Sequence, residues 1–430
     1  MADERLAVLM GDRVAGMLTR GANNLLRFDY DDAYRRDPGA TPLSLSMPLR
    51  VSSHADTAAS RRVAAVLWGL LPDNDDVLDT WARHYAARRT SPFFLLATPV
   101  GEDCAGAVRF CAPDDVDRLR GRAGSVVWLT EAQVADRIRT LRRDATAWLG
   151  PRFTGAFSLA GAQPKTALHF ADGRWGEASG RVPTTHIIKP GSELPDHDLV
   201  EHLSLVAAGR AGLIVATSRF ARFGDQTALV VSRYDRAAST TGVIRVHQED
   251  LCQAFGTGPD GKYQRDGGPS PTAIVALLRG HMRPADADRS VARFLEALIW
   301  NWIIAGTDAH AKNYSLLLSG SSVRLAPLYD VASILPYAQG RERDLQMSMR
   351  LGGTYDLWPA RDFWPRAATE LGLRPDAVRA RVRELADIAP AAFSEAADDP
   401  AIVALRRPLV AQLVDRIADR ARRCASVVAA

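Results

Sequence analysis

The change of hydrophobic period near Ser232 constrains the fold of this chain more than any other feature. Before it, residues 166–170 and 184–189 have the alternation or the β-branched composition of strands. After it, apolar residues recur at helical spacing in residues 291–305 and 409–424. We therefore predict an α+β fold with a strand-rich N-terminal lobe and an all-helical C-terminal lobe.

The N-terminal lobe itself divides into two parts. Residues 1–110 have a mixed α/β pattern, in which the alternating residues 43–47 predict a strand. Residues 111–232 form the remainder of this lobe, and residues 116–149 within it predict a helix that joins the two parts. Residues 233–430 then make up the C-terminal lobe.

Charge and cysteine content give no sign of several classes of protein. Lys and Arg exceed Asp and Glu by only four, 54 against 50, an excess too small to imply by itself a protein that coats nucleic acid. The four cysteines form no CxxC pair, so neither a zinc site nor a disulfide framework is predicted. No apolar run reaches the ~18 residues that a membrane span needs, and no secretory leader is recognisable. We expect a cytoplasmic protein without membrane contact.

The strongest chemical signal is the run GTDAHAKN at residues 306–313, followed by PLYD at residues 327–330. Protein-kinase chemistry uses a carboxylate that accepts the proton of the substrate hydroxyl, and an Asn and a second Asp that hold magnesium. Asp308 and Asn313 are five residues apart, as in a kinase catalytic loop, and Asp330 follows on a later segment. No HRD or DFG tripeptide is present, which argues against an ordinary eukaryotic-type kinase.

Each of these residues also has an ordinary structural explanation. Asp and Asn are common in helix caps and turns, and for Asp308 alone a cap would be preferred. Three metal-competent residues in this order, directly after an apolar helix, favour function. His310 could contact nucleotide or simply fill the loop, and the sequence does not separate the two.

A second signal is the small-residue loop at residues 157–168, FSLAGAQPKTAL. Its backbone N–H groups could approach phosphate oxygens, and Lys165 would add a donor. The loop matches neither the Walker pattern nor GxGxxG, so taken alone it would be an ordinary hairpin loop. Lys189 ends a predicted strand and Glu201 lies in the next helix, the order in which kinases place a phosphate-binding lysine and the glutamate that positions it.

Several of these motifs together resemble the HipA-type serine/threonine-protein kinase toxins of type II toxin–antitoxin systems. The motifs are FSLAGAQPKTALHF, TTHIIKP, VVSRYDR, HQEDLCQAFG, KYQRDGGP, GTDAHAKNYSLLL and LAPLYDVAS, with LSLSMPL and LLPDN near the N-terminus. They cover nearly the whole chain in the order of the family. The resemblance implies a bilobal kinase-like fold and an ATP- and Mg²⁺-dependent protein kinase.

The resemblance also assigns roles to particular residues. Asp308 matches the catalytic base, Asn313 and Asp330 match the magnesium ligands, and Ser158 matches the serine on which family members autophosphorylate. The residues that match nucleotide-binding positions are Ala160, Gly161, Ala162, Gln163, Pro164 and Lys165 of the phosphate loop, Lys189, the hinge residues Ser232, Arg233 and Tyr234, and the bordering His310, Ala311, Lys312 and Asn313. The chain differs from some members of the family at Pro164 and Ser232, because those members have an acidic residue at these positions.

The family further implies partners. These are a HipB-like helix-turn-helix antitoxin, operator DNA contacted mainly through that antitoxin, and a protein substrate of the translation apparatus such as an aminoacyl-tRNA synthetase. Two alternatives stay open from the residues alone. One is a kinase-fold phosphotransferase that acts on a small molecule, and the other is a non-catalytic antitoxin-binding corepressor module.

Overall fold

The computed structural model describes residues 4–121, 124–150, 156–191, 194–240, 242–358 and 361–429. The chain divides into two compact units. The first comprises Met1–Pro190, Ala221–Gly261 and Ser315–Val323, and the second comprises Gly191–Phe220, Lys262–Tyr314 and Arg324–Ala430.

A five-stranded antiparallel sheet opens the first unit, with the strand order β4-β3-β2-β1-β5. Its strands and the helices that accompany it are β1 (Glu4–Met10), β2 (Arg13–Arg20), β3 (Leu26–Tyr30), α1 (Asp32–Arg36), β4 (Ser53–Ala55), α2 (Arg62–Trp68), α3 (Asp75–His84), α4 (Pro92–Leu96) and β5 (Val108–Cys111). The core between sheet and helices is hydrophobic and contains Phe28, Trp81 and Trp148, all fully buried.

The second sheet of this unit carries the predicted phosphate loop between its elements. In chain order, its strands and the helices between them in the sequence are α5 (Val116–Gly121), β6 (Ser125–Leu129), α6 (Glu131–Arg143), β7 (Thr166–Ala171), β8 (Arg174–Ser179), β9 (His186–Lys189), α7 (His197–Arg210), β10 (Ser218–Phe223) and β11 (Gln226–Ser232). Helix α7 belongs to the second unit. The order is β10-β11-β9-β7-β8-β6, and residues 221–223 of β10 belong to this unit. Asp172 and Gly173 both have positive φ, as the two-residue hairpin loop between β7 and β8 requires.

Short strands complete the first unit. They are β12 (Arg236–Ser239) paired with β13 (Gly242–Arg245), and a three-stranded sheet of β14 (His247–Asp250), β15 (Ser315–Ser319) and β16 (Ser322–Leu325), with helix α8 (Leu251–Phe255) after β14. Residues 322–323 of β16 belong to this unit. Serine hydroxyls attach residues 43–47 to this helix, because Ser44 and Ser46 both donate to the Gln253 carbonyl, at 3.1 and 2.9 Å.

Helices dominate the second unit. Besides α7 it contains α9 (Pro271–His281), α10 (Pro284–Ile304), β17 (Gln346–Leu351), β18 (Thr354–Asp356), α11 (Phe363–Glu370), α12 (Pro375–Ala397), α13 (Pro400–Val403) and α14 (Pro408–Ala429). Helix α10 is the central element, since Trp300 stacks on Phe393 and Trp302 packs against both Phe363 and Trp364. No helix within the described residues is both long enough and apolar enough to cross a membrane.

The α+β class is confirmed, and three details of the prediction are wrong. The C-terminal lobe is not all-helical, because strands β12 to β18 lie between residues 236 and 356. Residues 43–47 form a turn closed by Met47 N–H and the Ser44 carbonyl, since the serine hydroxyls bond to a distant segment. Residues 116–149 are interrupted by β6, whose β-branched residues pair with β8. The boundaries at residues 110 and 232 stay predictions.

Candidate active site

The end of helix α10 directs the chain into the loop that carries the predicted base. Ala305 adopts a left-handed conformation with φ of 54°, and the Gly306 N–H donates to the Asn301 carbonyl at 2.8 Å, which ends the helix. A Cβ atom at Gly306 would overlap the Asn301 side chain, so glycine is required at this position. Because α10 is packed among aromatic side chains, its C-terminal end fixes the position of the first residues of the loop.

Asp308 has a fixed backbone and an exposed carboxylate. Its carbonyl accepts hydrogen bonds from the His310 N–H at 2.8 Å and from Asn313 Nδ2 at 2.7 Å. Its side chain is 70% exposed, and Oδ1 accepts a hydrogen bond from the Tyr263 hydroxyl at 2.6 Å. A carboxylate that is held by its backbone and open to solvent can accept a proton from an approaching hydroxyl group.

His310 lies inside this loop rather than at its surface. The side chain is buried, and its ring meets the Tyr263 ring edge-on, with centroids 4.9 Å apart. Its Nε2 is 3.9 Å from Asp308 Oδ1, which is too long for a hydrogen bond. The next residue, Ala311, donates its N–H to the Lys262 carbonyl at 3.2 Å. His310 thus fills the loop, and a nucleotide contact stays a prediction.

Asp330 lies on a segment that is bonded directly to the Asp308 loop. The Tyr329 hydroxyl donates to the carbonyl of the buried Lys312 at 2.7 Å, so the residues next to Asp330 and Asn313 are joined. The Ser333 hydroxyl donates to the Ile304 carbonyl at 2.6 Å, which attaches the same segment to the end of α10. The structure therefore brings the segments of the predicted base and of the two predicted magnesium ligands together around one helix end.

Asp330 also has an unusual backbone. Its φ is 57°, a left-handed conformation that costs a non-glycine residue about 1 kcal/mol and that Asp tolerates better than most residues. Just before it, a parallel bridge pairs Leu328 with Val215, through hydrogen bonds of 2.8 and 2.9 Å to Ala216 and Ile214. The surrounding bonds therefore hold Asp330 in this conformation.

The donor set at this place fits magnesium. Asn313 uses its amide nitrogen on the Asp308 carbonyl, which directs Oδ1 to the opposite side of the amide group. Asn313 and Asp330 thus supply an amide oxygen and a carboxylate, the hard ligands that Mg²⁺ takes together with water and phosphate oxygens. No group of three His, Cys, Asp or Glu side chains suited to a metal occurs among the described residues. Two such ligands would leave the other coordination positions of a magnesium ion to water and phosphate oxygens.

The predicted phosphate loop lies in the first unit and folds back over its own lysine. Lys165 is buried, its Nζ donates to the Ala160 carbonyl at 2.6 Å, and it lies 4.9 Å from the centre of the Trp148 ring. Gly161 has φ of 100°, and its carbonyl accepts a hydrogen bond from Asp73 N–H at 3.2 Å. The Ala162 carbonyl accepts Asn74 Nδ2 at 3.4 Å. Gln163 and Pro164 complete this closed turn, half-buried.

Ser158, the predicted autophosphorylation site, is completely buried. Its hydroxyl donates to the Leu70 carbonyl at 2.6 Å. Its backbone pairs with Asp103 and Ala105, at 2.9 and 3.1 Å. A kinase could therefore reach this hydroxyl only after the segment has left its place.

The predicted lysine–glutamate pair is divided between the two units. Lys189 ends β9 opposite Leu229 in the first unit and is 9% exposed, whereas Glu201 lies on α7 in the second unit and is 2% exposed. Burial of both side chains distinguishes them from ordinary surface residues. Their mutual contact stays a prediction.

Arg233, one of the predicted hinge residues, has a structural role that the sequence did not indicate. Its guanidinium is buried and donates to Asp235 at 2.8 and 3.0 Å, to Thr184 Oγ1 at 2.9 Å and to the Cys104 carbonyl at 3.0 Å. Its backbone N–H donates to the Thr185 carbonyl at 2.9 Å. Because these donors are engaged, an adenine contact at the hinge would fall to Ser232 and Tyr234.

Arg233 belongs to a buried charge network centred on Asp103. Arg236 and Arg245 both contact the Asp103 carboxylate, at 3.1 and 2.9 Å, and Thr184 donates to it with its N–H and its hydroxyl. Burial alone would raise the pKa of Asp103, but the three guanidinium groups together hold that pKa far below its usual range. Burial and the neighbouring Arg233 lower the pKa of Arg236 to about 10. Proximity of residues so distant in sequence could not be predicted from local patterns.

Comparisons with known proteins agree with this architecture. The family described as HipA-like C-terminal domain matches residues 157–393, and the HipA N-terminal domain matches residues 6–111. The putative kinase Y4mE of Sinorhizobium fredii is 32% identical over 422 residues, covering 97% of each chain. The serine/threonine-protein kinase toxin HipA of Shewanella oneidensis is 28% identical over 330 residues, covering 73% of this chain and 71% of the relative.

A solved structure also resembles the whole chain. It is the complex of HipA, HipB and operator DNA from Shewanella oneidensis MR-1, and the match has a TM-score of 0.80 at 24% identity and covers 99% of each chain. At this identity the likeness establishes the fold.

Proposed function

The chain belongs to the HipA family, and from that premise we propose that it is an ATP-dependent serine/threonine protein kinase that acts as a growth-inhibiting toxin. The observation that carries the proposal is the bonding of Asp308, Asn313 and the Asp330 segment around the end of α10. These are the residue types that phosphoryl transfer to a hydroxyl group requires, and they are fixed by backbone hydrogen bonds.

In this proposal Asp308 is the general base. Its exposed carboxylate accepts the proton of a serine or threonine hydroxyl while the hydroxyl oxygen bonds to the γ-phosphorus and the bond to ADP breaks. The bond from Asn313 Nδ2 to the Asp308 carbonyl holds the backbone of the base beside one of the proposed magnesium ligands. Positioning of this kind supplies much of the rate in phosphoryl transfer, because little covalent chemistry falls to the protein.

Asn313 and Asp330 would hold Mg²⁺, which when bound neutralises charge on the triphosphate. We further propose that the loop from Ala160 to Lys165 and the strand lysine Lys189 contact the phosphates. Lys165 would have to exchange the Ala160 carbonyl for a phosphate oxygen, and the charge-assisted bond to an anion is the stronger of the two.

Ser158 fits a self-inactivation switch. Its phosphate would carry about −1.5 to −2 charges at neutral pH, and the buried place beside the Leu70 carbonyl offers such a group an acceptor rather than a donor. A phosphorylated Ser158 could not return to that place, so the adjoining phosphate loop would lose its present shape.

The partners are proposed from the family. The matched Shewanella structure contains HipB and operator DNA. We propose a HipB-like antitoxin for this chain, with DNA contacted mainly through it, and the small net charge of +4 over 430 residues fits that division of roles. For the substrate we propose a protein of the translation apparatus, such as an aminoacyl-tRNA synthetase.

Growth arrest provides the cellular test. Expression of the chain alone should slow bacterial growth, and expression of Asp308→Asn should not. The matched control is Asp362→Asn, because Asp362 is an exposed carboxylate of the same unit that pairs only with a neighbouring arginine on its helix, among the described contacts. Equal toxicity of wild type and Asp308→Asn would contradict phosphoryl transfer as the cause and favour a binding mechanism.

A further inference from the structure

Tyr263 contacts the proposed base directly, although neither the kinase pattern nor the family resemblance gives it a role. Its hydroxyl donates to Asp308 Oδ1 at 2.6 Å. Among the described residues this is the one side-chain hydrogen bond that the Asp308 carboxylate accepts. A hydrogen bond of this length to a carboxylate belongs to the stronger class of protein hydrogen bonds.

The segment that carries Tyr263 is fastened on both sides. The Lys262 carbonyl accepts the Ala311 N–H from the Asp308 loop, and the Tyr263 carbonyl accepts the Gly268 N–H at 2.9 Å. On the other side, Gln264 Oε1 accepts the Arg350 N–H of β17 at 2.7 Å. The ring of Tyr263 also packs edge-on against the buried His310. The hydroxyl is therefore presented to Asp308 from a rigid support.

The exposed carboxylate of Asp308 needs such a support. Its backbone is fixed, but a carboxylate that is 70% exposed can rotate about its side-chain bonds, and loss of that freedom has an entropic cost. Tyr263 remains a donor throughout, because burial and the neighbouring Asp308 charge raise the pKa of its phenol above the usual range. The hydroxyl thus selects one orientation of the carboxylate before a substrate arrives.

We propose that Tyr263 is the positioning residue of the catalytic base: it holds Oδ1 of Asp308 and turns Oδ2 toward the substrate hydroxyl. This inference rests on the proposed kinase function and adds a residue to it. The opposite role would be a block, in which the phenol occupies the place of the substrate hydroxyl. Positioning and blocking predict changes of rate in opposite directions.

The test compares Tyr263→Phe with wild type. Phe keeps the ring contact with His310 and removes only the hydroxyl. The readout is transfer of phosphate from [γ-³²P]ATP with Mg²⁺ to serine and threonine of dialysed bacterial extract protein, measured at saturating ATP and over an ATP titration. We expect the rate at saturating ATP to fall about tenfold, the loss of one hydrogen bond to a charged group. The ATP affinity from calorimetry should stay within about twofold.

Two comparisons separate positioning from a structural effect. Tyr337→Phe is the matched control, because it removes a tyrosine hydroxyl that donates to the Pro195 carbonyl at 2.8 Å in the same unit, and its rate should equal that of wild type. In the second comparison, Tyr263→Phe is combined with Asp308→Asn. If Tyr263 acts through Asp308, the double variant should be no slower than Asp308→Asn alone.

The outcomes distinguish this inference from the proposed function. Positioning by Tyr263 is refuted if Tyr263→Phe transfers phosphate at the wild-type rate or faster, or if it slows Asp308→Asn by the same factor as wild type. A folded Asp308→Asn variant with the wild-type rate would instead refute the assignment of the base, and with it both proposals.

Discussion

Replacement of Asp103 by Asn is predicted to destabilise the first unit strongly. The substitution keeps the volume of the side chain and removes its charge. It leaves Asp235 as the carboxylate that pairs with Arg233 and Arg236, and it takes from Arg245 the carboxylate that this arginine contacts.

The magnitude follows from the loss of one partner in a buried ionic network. Removal of one member of such a network typically costs about 3–5 kcal/mol, because the opposite charge stays buried without compensation. Asp103 is fully enclosed and contacts Arg236 and Arg245 at 2.9–3.1 Å, so the upper part of this range is expected. The Asn amide would in addition direct a donor at one of these guanidinium groups.

The dependence on pH has a definite sign. The folded pKa of Asp103 lies below its unfolded value of about 3.9, so its contribution to stability is complete above about pH 5. That contribution is lost as the pH falls below about 4 toward the folded pKa. The difference in unfolding free energy between wild type and Asp103→Asn should therefore be constant from pH 5 to 7 and should shrink below pH 4.

The assay is urea unfolding monitored by hydrogen–deuterium exchange. Exchange of the amides in β5 and β14 gives the unfolding free energy of the first unit separately from that of the second unit. Asp29→Asn is the matched control, because Asp29 pairs with Arg27 at the surface and such pairs contribute about 1 kcal/mol or less. A loss of less than about 1 kcal/mol for Asp103→Asn at pH 7 would refute the account of this network.

Two further predictions concern nucleotide binding and its control. Asp330→Ala should lose the part of the ATP affinity that depends on Mg²⁺, while its affinity for metal-free ATP stays unchanged. Calorimetry with and without Mg²⁺ measures both affinities. An equal loss of affinity under both conditions would contradict the assignment of Asp330 as a metal ligand. Incubation with ATP and Mg²⁺ should place phosphate on Ser158, detected by mass spectrometry, and the phosphorylated protein should bind ATP more weakly. An active enzyme that never carries phosphate at Ser158 would contradict the switch.

Sequence patterns correctly predicted the helices and strands whose formation depends on residues close to one another in the chain. The helical spacing of residues 291–305 identified most of α10, and the strand pattern of residues 166–170 identified most of β7. Residues 43–47 were misjudged because the hydroxyls of Ser44 and Ser46 bond to Gln253, more than 200 residues away. The alternation of polar and apolar residues in 43–47 contains no information about a hydrogen-bond partner so distant in the sequence.

The residues of the candidate site also fall into those that the sequence predicted and those that only the structure revealed. The order and spacing of Asp308, Asn313 and Asp330 were visible in the sequence because kinase chemistry restricts residue types at fixed offsets. Tyr263 lies within a motif that the sequence did present, but its target is 45 residues away and only the folded chain reveals the contact. The charge network around Asp103 likewise joins segments more than 120 residues apart.

Phosphate transfer by Asp308→Asn is the most direct test of the central claim. With [γ-³²P]ATP, Mg²⁺ and extract protein, the wild-type chain should phosphorylate serine or threonine. The Asp308→Asn variant should be slower by roughly 10²-fold or more at saturating ATP, with its ATP affinity and melting temperature nearly unchanged. A folded Asp308→Asn variant that transfers phosphate at the wild-type rate, or a wild-type chain that transfers none, would contradict the account.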